Sequence, residues 1–294
     1  MRLALTAADA FRGHLTPEYR DEVAGLAGGS GLDGREAMLG QCFLDLMPVT
    51  ACSTVTLGAD AAPDGVARFG RNLDFYSANV ADKYSVLFVY HPEGRYSFVS
   101  VGWPGMVGVL SGMNEYGLAI ANMEVARPAR LPQAMPYTLL YRTVLEQCRT
   151  TEEAIALLER TPRQSANNLM IMDAAGNRAV AEIAPEGVTV RRPDEFALIS
   201  TNHRRGQDNA SPGRCGRYDY LRDASERYHG RIDVARLESM LGTVSQNKLT
   251  LQSMVFEPSN RVIYLSAGAD AAHGTFHRLD LRSYFHQQAG GRSP

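Results

Sequence analysis

KYSVLFVYH (residues 83–91), RYSFVSVGW (95–103), GMVGVLSGM (105–113) and GLAIANMEV (117–125) follow one another with only short loops between them. The first two are rich in β-branched and aromatic side chains, and the last two are apolar with small residues interspersed. The loops running from His91 to Gly94 and from Asn114 to Gly117 have the composition of hairpin turns. Strands joined this tightly pair antiparallel, because parallel neighbours need a crossover of about a dozen residues or more. The stretch therefore predicts a meander of antiparallel sheet.

Working outward, CSTVTLG (52–58) and VARFGRN (66–72) are two further β-type runs, separated by the turn-rich AAPDG. Upstream of them the first fifty residues read as helices. Thr16 is a cap with Pro17 at the first helical position, and Tyr19, Val23 and Leu26 follow at helical spacing. Asp33 and Glu36 then open a second helix as a capping box, carried by Met38, Leu39, Cys42, Phe43 and Leu46 and stopped by Pro48. Downstream, PYTLLYRTVLEQCR (136–149) and a segment capped by Thr150 and Glu153 are helical. NNLMIMD, RAVAEIA, GVTVRR and FALIST return to strand. RYDYLRDASERY (217–228) and VARLESMLG (234–242) are helices, and SMVFEP and RVIYLSAG close the chain as strands. Helices and sheets alternate three times. The predicted class is α+β: a four-layer αββα sandwich whose two antiparallel sheets are covered on their outer faces.

The chain of 294 residues is 45% hydrophobic and 21% charged, with a formal net charge of −2. That balance gives no long-range attraction for nucleic acid or an anionic membrane. No stretch approaches the roughly 20 apolar residues of a membrane span. The apolar part of MRLALTAADAF is too short for a signal peptide, which predicts a cytoplasmic protein unless a leader precedes Met1. Four irregularly spaced cysteines argue against a disulfide framework. His273 and His277 stand four apart, but the intervening GTF is poor helix and no third ligand is evident, so neither a metal nor a cofactor is expected.

Cys52 begins a β-run directly after the break at Pro48. A thiol there can reach its own upstream carbonyl, that of Ala51, in an N-to-S shift. Afterwards one residue would carry both a nucleophile and an amine base, whose ordinary pKa values of about 8.5 and about 8 lie close together. Against this stands the commoner fate of such a cysteine, a small core hydrophobe. Arg71 and Asp74 end the neighbouring run, where a cation could favour the thiolate and a carboxylate could hold the amine. Strand alternation puts Arg71 with Leu73, so Asp74 is expected to reach the site from the strand's end, where alternation stops. The bland alternative is a surface ion pair.

Cys52-Ser-Thr, then GRNLDF (70–75), then GMNEYGL (112–118), LISTNH (198–203) and RYDYL (217–221) together resemble the N-terminal-nucleophile hydrolases of the choloylglycine hydrolase, acid ceramidase and isopenicillin N acyltransferase superfamily. The helical segment before Cys52 is similar to the propeptide of the acyltransferase branch, where Gly often stands in place of Ala51. The resemblance implies that fold and a linear amide as substrate. It divides the chain into a small helical chain, 1–51, and a catalytic chain, 52–294, within one structural domain. Cys52 would be nucleophile and base, and Arg71 and Asp74 would orient it. Asn202 and Asn114 would form the oxyanion hole, and Arg217 would complete the charged set. Arg214 lies three residues before Arg217, but the RYDYL continuation favours Arg217. Asn72 and Asn168 read as structural. The implied partners are a small-molecule amide and, for acyl transfer, an acceptor amine. Two alternatives remain: an intact Cys–His hydrolase with His203 as base on Cys52 or Cys215, and an inactive binding protein of the same fold. Substrate choice is expected to lie in the loops from Tyr76 to Lys83 and from Ala126 to Pro136.

Overall fold

The computed structural model describes residues 2–46, 50–76, 80–125, 132–194, 196–206 and 214–285. Its first three elements are α1 (Arg2–Arg12), α2 (Pro17–Ser30) and α3 (Gly34–Leu46). The caps lie where the residue types require them. Thr16 Oγ1 accepts the Tyr19 N–H; at the start of α3 Glu36 Oε2 accepts the Asp33 N–H and Asp33 Oδ1 accepts the Arg35 N–H, a close variant of the capping box. Pro48, expected to stop α3, lies outside the described residues.

Six strands form one antiparallel sheet. They are β1 (Thr50–Leu57), β2 (Arg68–Phe75), β10 (Ala197–Ser200), β11 (Thr250–Glu257), β12 (Val262–Ala267) and β13 (His277–Asp280), in the order β10-β1-β2-β11-β12-β13. Seven consecutive strands form the other: β3 (Val86–Tyr90), β4 (Phe98–Gly102), β5 (Ser111–Asn114), β6 (Ala119–Glu124), β7 (Asn167–Met172), β8 (Arg178–Ala184) and β9 (Gly187–Arg191). The meander anticipated from residues 83–125 is the first half of this second sheet.

Alternation sorts the side chains of each strand between layers. On β1, Cys52 joins the core between the sheets with Leu73, Phe69, Met113 and Phe256. Val55 and Leu57 point the other way, into a core under α6 (Gly216–Arg227) and α7 (Val234–Thr243). The opposite sheet is covered by α4 (Tyr137–Gln147) and α5 (Thr151–Arg160), the latter capped by Thr150. The result is the expected αββα sandwich.

Three segments depart from the sequence reading. The strand anticipated over 105–113 exists only from Ser111, because Gly108 lies against Thr138 and Val109 N–H bonds to Thr138 O, which draws this segment to α4. The edge strand β13 has the sequence His-Arg-Leu-Asp, too polar to show a strand period. A four-residue helix, α8 (Arg282–Phe285), follows it and is too short to show a period of its own.

Gly117 closes the β5–β6 hairpin at φ 80°, and a Cβ there would collide with the Pro258 carbonyl of the other sheet's β11–β12 turn. Gly117→Ala combines a strained backbone with that clash. It is expected to lower stability by about 2–3 kcal/mol, read as a lower urea midpoint at unchanged m value.

Candidate functional site

The register explains how Cys52 is held. Thr54 pairs with Ser200, the last residue of β10, so continued pairing would set Cys52 opposite Asn202. The ladder stops there and side chains take its place. Asn202 Oδ1 accepts the Cys52 N–H at 2.8 Å, and Arg217, in the first turn of α6, donates to Cys52 O at 2.5 Å. Arg217 also donates to Asn202 Oδ1 at 3.1 Å, closing a ring of three residues. Asn202 Nδ2 reaches across to Glu124 O at the end of β6, at 2.7 Å, so one carboxamide ties the strand of Cys52 to the opposite sheet.

Arg71 and Asp74 flank this ring from the two faces of β2. Arg71 is fully buried on the side of Cys52 and Leu73. Its Nε donates to Ser111 Oγ at 3.1 Å and one terminal nitrogen to Asn72 O at 3.1 Å, while the other terminal nitrogen has no hydrogen-bond partner. Asp74 lies opposite Ala51 and Thr250, accepts from Thr250 Oγ1 at 2.6 Å, and stands 3.6 Å from Arg217. Alternation does not stop before Asp74, contrary to the sequence reading. It is three residues from Arg71 in a regular strand and therefore on the other face, shared with Asn72, which bonds to Leu241 O of α7. The irregularity is in β11, between Thr250 and Gln252. Burial pushes the Asp74 carboxyl up to about 6, against the Thr250 hydrogen bond and the charges of Arg217 and Arg71.

Asn114 does not join the site. Its amide donates to Leu145 O and Cys148 O, and its carbonyl accepts from Tyr116 and Leu118 N–H, so both of its N–H bonds are spent on the C-terminal end of α4. The expected oxyanion role is corrected: this residue closes the hairpin and anchors a helix. Asn168 donates to Thr201 O and His203 O and so fixes the turn carrying Asn202. Arg217, not the exposed Arg214, is the arginine at Cys52. His203 turns its Nδ1 toward Thr201 Oγ1 at 3.4 Å, and partial burial, with Arg205 and Arg217 nearby, pushes its pKa down.

Three neighbours escaped the sequence reading. Thr250 lies between the helix ending at Gly242 and the strand SMVFEP, where no element is expected. Glu124 is a buried charged residue in an apolar run, a signal that was available. Tyr137, almost fully buried at the start of α4, has its hydroxyl pushed well upward by burial and then by Glu124, Asp45 and other neighbours that include Cys52. An apolar cleft of about 610 Å³ lies where Phe43 and Ala37 of α3 face Phe75 and Trp103. Of the loops expected to set specificity, residues 77–79 and 126–131 lie outside the described residues. Among the described residues no cluster of metal-ligating side chains occurs, and no helix is long and apolar enough to cross a membrane.

A family profile described as "Acyl-coenzyme A:6-aminopenicillanic acid acyl-transferase" matches residues 61–272. The chain belongs to this acyl-transferase family. The match holds Arg71, Asp74, Asn202 and Arg217, and Cys52 lies just upstream of it. Solved structures show the same fold at low identity, which makes this an N-terminal-nucleophile hydrolase fold. An N-acylethanolamine-hydrolyzing acid amidase ortholog of Caenorhabditis elegans has a TM-score of 0.56 and 20% identity, over 78% of this chain and 100% of that one. A conjugated bile acid hydrolase of Clostridium perfringens has 0.57 and 18%, over 79% and 93%. A penicillin V acylase of Agrobacterium tumefaciens has 0.51 and 16%, over 80% and 93%. Among curated sequences, protein dcd1B of Dictyostelium discoideum is 26% identical over 182 residues, 60% of this chain and 36% of that protein. An uncharacterized protein of Archaeoglobus fulgidus is 24% identical over 221 residues, 66% and 37%. The acyl-transferase family member described here thus spans little more than a third of the length of these two relatives.

Asp74 sets a pH signature. Its folded pKa of about 6 exceeds the ordinary 3.8, so between those values the folded chain binds more protons than the unfolded one. This contribution to stability is complete below pH 3.8 and is lost as pH rises through about 6, at most about 3 kcal/mol. Urea midpoints of wild type minus Asp74→Asn should fall between pH 4 and pH 7.5, on an approximate scale, and then level off. A flat difference would contradict the assignment.

Proposed function

We propose that this family member is a self-processing cysteine amidohydrolase or acyltransferase acting on a linear amide. Cys52 is its nucleophile, exposed as a new N-terminus by cleavage after Ala51. The observation that carries this reading is the hold on Cys52: its backbone N–H and C=O rest on Asn202 and Arg217 where the ladder has stopped. An acceptor at 2.8 Å from the nitrogen suits an amide N–H before the cut and an amine after it.

In this reading the thiol attacks an amide carbonyl while the Cys52 amine takes its proton and passes it to the leaving amine. Arg71, a buried cation on the thiol's face of β2 that donates to Ser111 Oγ and Asn72 O, places positive charge on the side from which Cys52 attacks. Asp74 and Arg217 orient the amine from the other face. Asn202 Nδ2, which meets the Glu124 carbonyl in the intact chain, supplies an N–H to the oxyanion. Water or an acceptor amine then resolves the thioester. The cleft walled by Phe43, Phe75 and Trp103 supports an apolar acyl or aryl group on a small-molecule substrate.

The N-terminal helices stay with the larger chain as a small chain of residues 1–51. Phe11, Tyr19, Val23, Met38 and Cys42 share a core with Val107 and Leu139. Tyr19 donates to Glu146 at 2.9 Å, and Gln41 bonds both Gly105 O and Val107 N at 2.8 Å. His203 Nδ1 meets Thr201 Oγ1 at 3.4 Å and Cys215 Sγ meets the same hydroxyl at 3.6 Å, so a hydroxyl stands between His203 and Cys215 and the Cys–His alternative has no direct thiol–imidazole bond among the described residues.

Intact-mass measurement and N-terminal sequencing test the proposal directly. The mature preparation should yield a chain beginning at Cys52 together with a retained N-terminal fragment. Cys52→Ala should remain full length and lose turnover of N-acyl amide substrates by about 10⁴-fold or more. An active preparation with Met1 as its only N-terminus would refute self-processing.

A further inference from the structure

Both sheets leave an edge strand on one flank, β9 and β10, and a cleft of about 580 Å³ opens between these strands and α6. Its volume is that of a small-molecule site, and nothing in the chemistry at Cys52 uses it. Arg192, Arg205 and Arg222 line it together with the rings of Phe196 and Tyr218. Arg191 also lines it, but is committed to the buried Glu182 at 2.6 Å. Among the described lining residues the opposing charges are Asp194 and Glu226, fewer than the arginines.

The other guanidinium groups can be recruited. Arg192 pairs with Glu152 at 2.8 Å, and Arg222 with Asp223 at 2.8 Å and Asp219 at 3.6 Å, all on the surface, where such pairs are weak and exchange readily. Arg205 lies 3.6 Å above the centre of the Tyr218 ring, and its Nε is shielded from solvent with no hydrogen-bond partner. The recruitable guanidinium groups of Arg192 and Arg222, beside the rings of Phe196 and Tyr218, suit a planar ring that carries an anionic group.

The position of this stack adds a consequence. Arg205 belongs to the turn that presents Asn202, and its N–H and that of Gly206 are held by Glu182 at 2.8 and 3.0 Å. Tyr218 is the residue after Arg217. The Arg205–Tyr218 contact therefore joins the two segments whose side chains hold the nitrogen and the oxygen of Cys52. We propose that the cleft between β9, β10 and α6 binds a planar aromatic anion, a ring bearing phosphate or carboxylate, and that occupancy is transmitted to Cys52 through Arg205 and Tyr218. The binding claim stands on the cleft alone; the effect on Cys52 rests on the nucleophile reading above.

Calorimetric titration of the purified protein with AMP and with benzoate tests the site, with inorganic phosphate, acetate and adenosine as half-ligands. At least one aromatic anion should bind about tenfold more tightly than its halves, and the better of the two identifies phosphate or carboxylate as the partner. Arg205→Ala and Arg222→Ala should each weaken that binding by about tenfold. Arg222 is half exposed, so its variant reports on the site even if Arg205→Ala folds poorly. Saturating ligand should change the rate of Cys52 alkylation by iodoacetamide by about twofold or more. Binding no tighter than the halves, or binding that Arg222→Ala leaves intact, overturns the site. Tight binding with an unchanged alkylation rate overturns the coupling. If Cys52 resists alkylation without ligand while the anion still binds, the nucleophile reading fails and the cleft stands.

Discussion

The ladder between β1 and β10 ends at Ser200, and the geometry around Cys52 follows from that stop. A buried N–H and C=O must find partners, and here the next main-chain partners are absent. Asn202 and Arg217 fill the gap with groups that can move independently of a strand. Had β10 continued for two more residues, the Cys52 nitrogen would be locked into a main-chain bond. Because it does not, a turn held by Asn168 and the first turn of α6 are both fixed to one residue. The tie from Asn202 to Glu124 O extends that constraint to the second sheet.

Charge around Cys52 is arranged against the ordinary preferences of a core. Arg71 is completely buried and has a terminal nitrogen without an acceptor, and Asp74 is buried deeply enough to raise its pKa to about 6. Such groups weaken a fold unless another gain offsets them, and they concentrate at functional sites. Cys42 and Cys148 make the contrast within the same chain. Burial pushes both thiols up to about 12, helped by Asp45 at Cys42 and by Glu153 at Cys148, where Arg160 opposes it only in part, which makes them inert packing. Cys52 lies near the start of β1, paired with Leu73 between Arg71 on one face of β2 and Asp74 on the other.

Much of the fold was legible because period and caps agree locally. The hairpin run over 83–125, the Thr16 and Thr150 caps and the Asp33–Glu36 box all concern contacts within a few residues. What escaped depends on contacts distant in sequence. Val107 to Leu110 have strand composition, yet Thr138 draws them out of the sheet. Asn114 has the chemistry of an oxyanion donor, but α4 consumes its N–H groups, a competition invisible from the motif. Asp74 was expected to break alternation, whereas the bulge lies in β11, the strand that brings Thr250 to it.

The N-terminal helices bear on how a single cut can leave the rest of the molecule in place. Their hold on the body is lateral: a shared core with Val107 and Leu139, and the pair of Arg142 with Glu22 at 2.7 Å. None of these contacts runs through the peptide bond after Ala51, so breaking it removes a covalent tie without removing what positions α1–α3. Phe43 of α3 meets the Phe75 ring at 6.3 Å, and Phe75 pairs with Thr50, two residues before Cys52. The apolar cleft thus has walls from both sides of the proposed cut. A substrate group in that cleft would be recognised by the small chain and the large chain together, so retaining residues 1–51 would shape the pocket as well as stabilise the fold.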